Sequence, residues 1–241
     1  MSIMNTVRET VETKEPGSIL TYRDFNVPLE SSAMLTKALS LFYRDGILKR
    51  ITKGWYYKPE VTEFGTMPPD TAMILRRLLD EQKDQIAYMT GPLVYNSFWL
   101  TTQLSTEYVI ATDRPRSPIR LRAGSIRFVR ARLRTPPSTP RLAQLLDVIM
   151  NIRDIPGTTI AEAIPILLVR LKELSREQLQ ELVDISPAYK PSTRATLGVL
   201  LEQMGQLSLA TAVHKTLNPL STFDLGTALS RLPTSLNWRV V

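Results

Sequence analysis

The chain has 241 residues and no cysteine, which excludes disulfides, thiolate metal sites and a cysteine nucleophile. Its formal net charge is +7, and 43% of its residues are hydrophobic, enough for the cores of one large or two ordinary domains. No apolar run approaches the roughly 20 residues of a membrane helix, and the opening MSIMNTVRETVETKE lacks the basic-then-apolar pattern of a signal peptide, so the expectation is a cytoplasmic protein that engages no membrane.

Residues 2–13 read as a first helix, with Ile3, Val7 and Val11 on one side and Pro16-Gly17 ending it. Ser18–Leu20 reads as a short strand, Thr21 caps a brief helix over TYRDF, and Asn26–Glu30 forms a turn around Pro28. A longer helix follows over Ser31–Arg44. Leu35, Ala38, Leu39 and Phe42 recur at i, i+3, i+4 and i+7, which places them on one face. The opposite face carries Ala33, Lys37, Ser40 and Arg44: small, polar and basic, without an acid. Ser31 or Ser32 can cap its start and Gly46 its end. Ile47–Thr52 and Trp55–Lys58 are rich in β-branched and aromatic residues, and Lys53-Gly54 turns between them. The order of these pieces predicts a winged helix-turn-helix over residues 1–59, because a narrow helix with a small outer face fits a major groove and a basic hairpin beside it reaches phosphates.

Residues 60–70, EVTEFGTMPPD, read as a linker, and Asp70 caps a helix over Thr71–Lys83. Residues 71–241 are expected to form a mixed α/β domain with a small sheet and several helices, so the whole chain is α+β. Ile86–Met89 and Tyr108–Ala111 are its strands, with a helix over Leu93–Leu100 between them. Ile119–Arg122 and Ile126–Arg132 read as a hairpin about Ala123-Gly124-Ser125, with a bulge at Val129 needed to turn Arg130 and Arg132 outward. Eight arginines and no acid lie between Arg114 and Arg134, a localised positive field suited to a polyanion. From Pro140 the chain is helical: one helix carries Leu142, Leu145, Leu146 and Ile149, another starts at Thr158 or Thr159 and is interrupted or kinked at Pro165, a third opens on a Ser175–Gln178 capping box, and a fourth starts at Ser192 and ends at Gly205. Asn237–Val241 reads as a final strand.

Catalysis finds little support. His214, the one histidine, sits in the apolar helical context LATAVHKTL, and Walker, dinucleotide and GxSxG patterns are missing. Asp147 and Asp154, seven apart, could share a helix face and hold magnesium, but a solvated face explains them as well. The expectation is a non-enzyme with no catalytic or metal-ligating residue and no cofactor.

Three stretches carry a family likeness: DGILKRITKGWYYKP, YMTGPLVYNSFWLTTQ and EYVIATDRPRSPIRLRAGSIRFVRAR. With them in this order, residues 1–135 resemble the AbiEi-type antitoxins of bacterial type IV toxin–antitoxin systems. The resemblance implies a transcriptional autorepressor that binds inverted repeats in the DNA of its own operon. It also implies two protomers on the DNA and a nucleotidyltransferase-like toxin as genetic partner without direct contact. By position, DNA-binding residues would be Ser31, Ser32, Lys37, Ser40 and Arg44 on the helix, Lys49, Arg50, Lys53 and Tyr56 on the wing, and Arg120, Arg122, Arg127, Arg130 and Arg132 on the second domain. Two alternatives use the arginine surface differently: a non-catalytic adaptor for an acidic protein partner, and an RNA-binding regulator.

Overall fold

The computed structural model describes residues 2–82, 85–224 and 235–239. The chain is mixed α/β and divides into two compact units, residues 1–82 with 119–122, and residues 83–118 with 123–241.

In the first unit, α1 (Ile3–Glu12) and α2 (Ser32–Arg44) bury complementary stripes. Val7 and Val11 of α1 share a core with Leu35, Ala38, Leu39 and Phe42 of α2, joined by Leu20, Phe25, Leu48 and Tyr56. The predicted core face of α2 is the observed one. Each fully buried leucine here contributes roughly 1.5–3 kcal/mol of transfer free energy. Three strands close the unit: β1 (Ile19–Thr21), β2 (Lys49–Thr52) and β3 (Trp55–Tyr57), in the order β1-β3-β2 and all antiparallel. Thr52 pairs with Trp55 across the Lys53-Gly54 turn, and the β2–β3 register shifts between Arg50 and Thr52. Gly54 has φ +80°, and a Cβ there would meet the Tyr22 ring, so this turn requires glycine.

Between β1 and α2, Thr21 and Asp24 form a capping box around the 3-10 turn Tyr22–Asp24. The Asp24 carboxylate accepts from the Thr21 N–H at 2.7 Å and from Arg77 Nη2 at 2.7 Å. Arg77 belongs to α3 (Thr71–Asp80), the helix expected to open the second domain; it groups with the first unit instead. Asp70 caps it as expected, accepting from the Ala72 N–H. Residues 60–70 are more than a linker: β4 (Glu60–Thr62) and β5 (Gly65–Met67) pair as a small antiparallel hairpin with Phe64, 96% exposed, at its turn. Three residues with one apolar side chain, Val61, make β4 too short for its period to be read.

In the second unit, β6 (Ala87–Thr90) lies antiparallel to β7 (Glu107–Thr112), and β7 lies parallel to β9 (Gly124–Arg130). The short α4 (Pro92–Ser97) starts at Gly91. The remaining strand, β8 (Ile119–Leu121), groups with the first unit. The β7–β9 register runs without a shift from Glu107↔Ser125 to Thr112↔Arg130. The bulge expected at Val129 is therefore absent, and strict alternation puts Arg127 and Arg130 on opposite faces of β9.

Five helices complete this unit: α5 (Pro140–Met150), α6 (Ile160–Lys172), α7 (Arg176–Ile185), α8 (Pro191–Gln203) and α9 (Leu207–His214). Capping boxes start α6 at Thr159/Glu162 and α7 at Ser175/Gln178. Of the two outcomes expected at Pro165, interruption or a kink, the interruption does not occur, since α6 runs through it. The proline lies on an exposed face, where water can replace the missing donor to the Ala161 carbonyl. Helix α8 is buried along most of its circumference, from Thr193 through Leu201, as expected for a helix at the centre of a bundle. The expected strand at Asn237–Val241 is instead a 3-10 turn over Ser235–Trp238; Val240 and Val241 lie outside the described residues. Trp238, 3% exposed, stacks over Gly198 of α8 and donates its indole N–H to Glu202 at 2.6 Å.

Candidate nucleic-acid interface

Helix α2 presents two different surfaces. One is the apolar stripe of the core; the other, exposed, carries Ser32, Ala33, Met34, Thr36, Lys37, Ser40, Tyr43 and Arg44. Ser31 does not cap the helix with its side chain. The chain enters through a 3-10 turn, Leu29–Ser31, in which the Ser31 N–H donates to the Pro28 carbonyl, and this turn takes the cap's place. Ser40 donates its hydroxyl proton back to the Thr36 carbonyl at 2.8 Å, leaving its oxygen lone pairs outward. Arg44 reaches Asp45 at 3.3 Å, with both side chains more than half exposed, a pairing of about 0–1 kcal/mol that a phosphate would readily replace.

The hairpin adjoining α2 carries three exposed cations. Lys49 and Lys53 are open, and Arg50 donates its Nε–H to the Thr52 carbonyl at 3.3 Å. Two other hairpin residues are structural. Tyr56, expected to grip DNA, is 4% exposed and sits in the core between α1 and α2. Burial raises its hydroxyl pKa, with the neighbouring Tyr22 adding to the effect. The pairing explains the correction: Tyr56 lies directly opposite Leu20, which is fully buried, so the two side chains share the core face of the sheet. Lys58 donates its ammonium protons to the carbonyls of Glu12 at 3.2 Å and Lys14 at 2.6 Å, where it complements the negative end of α1.

The five arginines expected on one basic surface do not form a single set. Arg120 and Arg122 are exposed on the segment grouped with the first unit, whereas Arg127, Arg130 and Arg132 belong to the second. Arg127 is paired: Nε and Nη2 donate to the two Glu107 oxygens at 2.9 and 3.1 Å. This bidentate bond holds Glu107 below the usual carboxylate range and raises Arg127. Glu107 lies outside the 114–134 window, on a parallel strand two residues before Val109, the register partner of Arg127, so no run of sequence reveals it. Arg130 and Arg132 are exposed, the latter with its guanidinium 6.0 Å from the Tyr189 ring centre.

Asp147 and Asp154 do not share a helix face, because α5 ends at Met150. Asp147 is 5% exposed and accepts from Thr90 Oγ1 at 2.7 Å and from the Tyr189 hydroxyl at 3.0 Å. Burial pushes its carboxyl pKa up against those hydrogen bonds. Among the described residues no group of three or more His, Asp or Glu side chains could hold a metal ion, and no helix is long and apolar enough to cross a membrane.

No curated protein matches this chain. The crystal structure of the RV2827C protein from Mycobacterium tuberculosis is similar at 15% identity, with a TM-score of 0.46, over 91% of this chain and 83% of that one. The model of a family of unknown function, DUF6088, matches residues 6–139. That stretch is more than half of the chain, and the chain belongs to the DUF6088 family.

Proposed function

We propose that the chain is a double-stranded-DNA-binding autorepressor and antitoxin of the AbiEi type, acting in the cytoplasm without catalysis. The observation that carries the reading is the division of α2: its buried stripe fills a core, while Lys37, Ser40 and Arg44, with Met34 and Tyr43, stay open on a helix followed by a cationic hairpin. In this reading α1, α2 and the β2–β3 hairpin are a winged helix. Lys37, Ser40 and Arg44 approach base edges, with Ser32 at the helix start near the backbone. Lys49, Arg50 and Lys53 contact phosphates from the wing. Arg120, Arg122, Arg130 and Arg132 add non-specific affinity, and Arg127 adds little. An inverted repeat places two protomers on the DNA. The toxin is a nucleotidyltransferase-like neighbour in the operon that the antitoxin opposes without binding it.

The test is fluorescence anisotropy of the full chain on a duplex from upstream of its own gene, against a scrambled duplex, over a salt series. Binding should favour the operator, and log affinity should fall with log salt by about 0.9 per phosphate neutralised. Equal affinity for both duplexes, or a salt slope near zero, would remove the reading.

A further inference from the structure

The β4–β5 hairpin carries large apolar side chains that the first unit leaves uncovered. Apart from Thr62, which is half-buried, every residue from Glu60 to Met67 is exposed. Val61 is 79% exposed, Phe64 96% and Met67 45%. A two-stranded hairpin without a core is marginal in water, and this one is fixed at its tip. The loop Glu63-Phe64 joins the paired Thr62 and Gly65. Thr62 Oγ1 accepts from the Phe64 N–H at 3.3 Å, and the same hydroxyl donates to the Gly65 carbonyl at 3.0 Å. A backbone held in this way lowers the ordering cost of a contact made by Phe64. The charge of the hairpin is one-sided. Glu60 and Glu63 are exposed on it, and no lysine or arginine occurs from residue 59 to residue 75. Phosphates repel such a surface; an apolar recess with a cation beside it complements it.

The same unit contains a recess of that kind, about 690 Å³ in volume, at the start of α2. Its apolar lining is Tyr22, Phe25, Val27, Leu29 and Leu35. Two charged side chains also line it. Asp24 is held by Arg77. Arg23 donates from Nη1 to the Glu81 carbonyl at 3.1 Å and meets no carboxylate among the described residues, so the charge that the recess offers is positive. Glu30, exposed beside Leu29, is outside the lining. Phe64, almost fully exposed, does not fill the recess of its own chain. One chain thus carries a knob and a hole, both open, with opposite charges beside them.

We propose that the hairpin docks in this recess of a second copy of the chain, and that the second copy returns the contact. Phe64 packs against Tyr22, Val27 and Leu29 of the other copy, and Glu63 faces its Arg23. A reciprocal contact is isologous and closes at two copies. An aromatic side chain seated in an apolar pocket carries most of the energy of such a contact, and the charge pair fixes its register. Hairpin and recess belong to one unit, so the contact needs nothing from the other. Ser32 and Thr36 also line the recess, so a seated hairpin covers the start of α2, and DNA competes with the second copy. That consequence rests on the repressor reading; the contact itself does not.

The experiment is sedimentation equilibrium of the full chain, without DNA, from about 5 to about 500 µM, where small interfaces dissociate. A monomer–dimer equilibrium is expected, rising from 27.3 kDa towards twice that mass. Phe64→Ser should weaken it by at least about tenfold, with an unchanged thermal midpoint because the ring is exposed. Glu63→Lys and Arg23→Glu should each weaken it by several-fold. An equimolar mixture of those two variants should restore association, since each contact then joins opposite charges. A monomer at about 500 µM, association unchanged by Phe64→Ser, larger oligomers in place of the dimer, or a mixture no stronger than its components would each overturn the proposal. So would a duplex that binds the chain and leaves the dimer fraction unchanged. The sedimentation series uses no DNA, so its failure and that of the repressor reading are distinguishable.

Discussion

Arg127 and Glu107 face each other across adjacent parallel strands and form a two-point hydrogen-bonded ion pair, 2.9 and 3.1 Å long. Arg127 lies within the most basic stretch of the chain, and Glu107, from outside that stretch, neutralises it. Both side chains are nearly half exposed, so the pair contributes about 0–1 kcal/mol to stability. Its consequence is electrostatic. Arg127→Ala should change affinity for random duplex by less than about twofold, whereas Arg130→Ala and Arg132→Ala each reduce it and lower the salt slope by about 1. Glu107→Gln should have the opposite sign and strengthen binding, since it frees a guanidinium and removes a negative charge. Anisotropy titrations of the four variants on one scrambled duplex check this ordering.

If the proposed DNA-binding reading holds, the helix and hairpin of the first unit should fail differently. Lys37→Ala with Arg44→Ala removes the cations on the open face of α2, and operator binding should fall by about 1–3 kcal/mol per lost base contact while scrambled DNA loses much less. Lys49→Ala, Arg50→Ala and Lys53→Ala on the hairpin should weaken both duplexes alike, with the salt slope dropping by about 1 for each. Tyr56→Phe should alter neither, because that ring is in the core. The ratio of operator to scrambled affinity is the readout for all of them.

The first unit was largely legible because its signals are local. The i, i+3, i+4, i+7 stripe of α2 contains four residues, and all four are buried. The Lys53-Gly54 turn announced the hairpin. What could not be read were the partners of charged side chains. Lys58 looks like a wing cation in sequence, yet it terminates α1 from 44 and 46 residues away. Arg77 looks like a surface residue of a second-domain helix, yet it reaches back 53 residues to Asp24. Tyr56 looks like a wing contact in sequence, yet it is buried opposite Leu20 of β1, a partner 36 residues away that no local pattern reveals. In the second unit, α8 gives a weak amphipathic signal for a physical reason, since a helix buried on nearly all sides has no polar face to display.

Asp147 makes a prediction about pH. Its carboxyl pKa is raised above the ordinary 3.8 by burial. The unfolded chain therefore releases this proton at lower pH than the folded chain does. Between the two values the native state binds more protons, so stability contributed by this site falls as pH rises through that window and levels off above the folded pKa. Asp147→Asn removes the titration and keeps the shape. The Thr90 and Tyr189 hydroxyls can rotate so that one accepts from the new amide. Urea denaturation of both proteins from pH 3 upward should show the wild-type-minus-variant stability decreasing with pH. A difference that grows with pH would contradict the assigned direction.

The last prediction concerns Gly198, the point on α8 where Trp238 rests. A Cβ built on this glycine would land on the six-membered ring of the indole, on Cη2, Cζ3 and Cζ2. The indole cannot slide freely, because its N–H is held by Glu202 and the adjacent Asn237 side chain donates to the other oxygen of the same carboxylate. His214 of α9 also meets the ring edge-on, with centroids 5.2 Å apart. Gly198→Ala therefore displaces the 235–239 turn or strains α8, and should destabilise the second unit by about 1–3 kcal/mol, despite the better helix propensity of alanine. Trp238 is one of three tryptophans in the chain. Trp55 is buried in the first unit and Trp99 is already exposed, so a red shift of emission in the folded variant reports Trp238 leaving its seat. Glu202→Gln tests the same seat from its polar side: it keeps the packing, weakens the charge-assisted bond to the indole N–H, and should cost less than the alanine does. If Gly198→Ala leaves both the emission maximum and the urea midpoint unchanged, the indole does not occupy this position in solution.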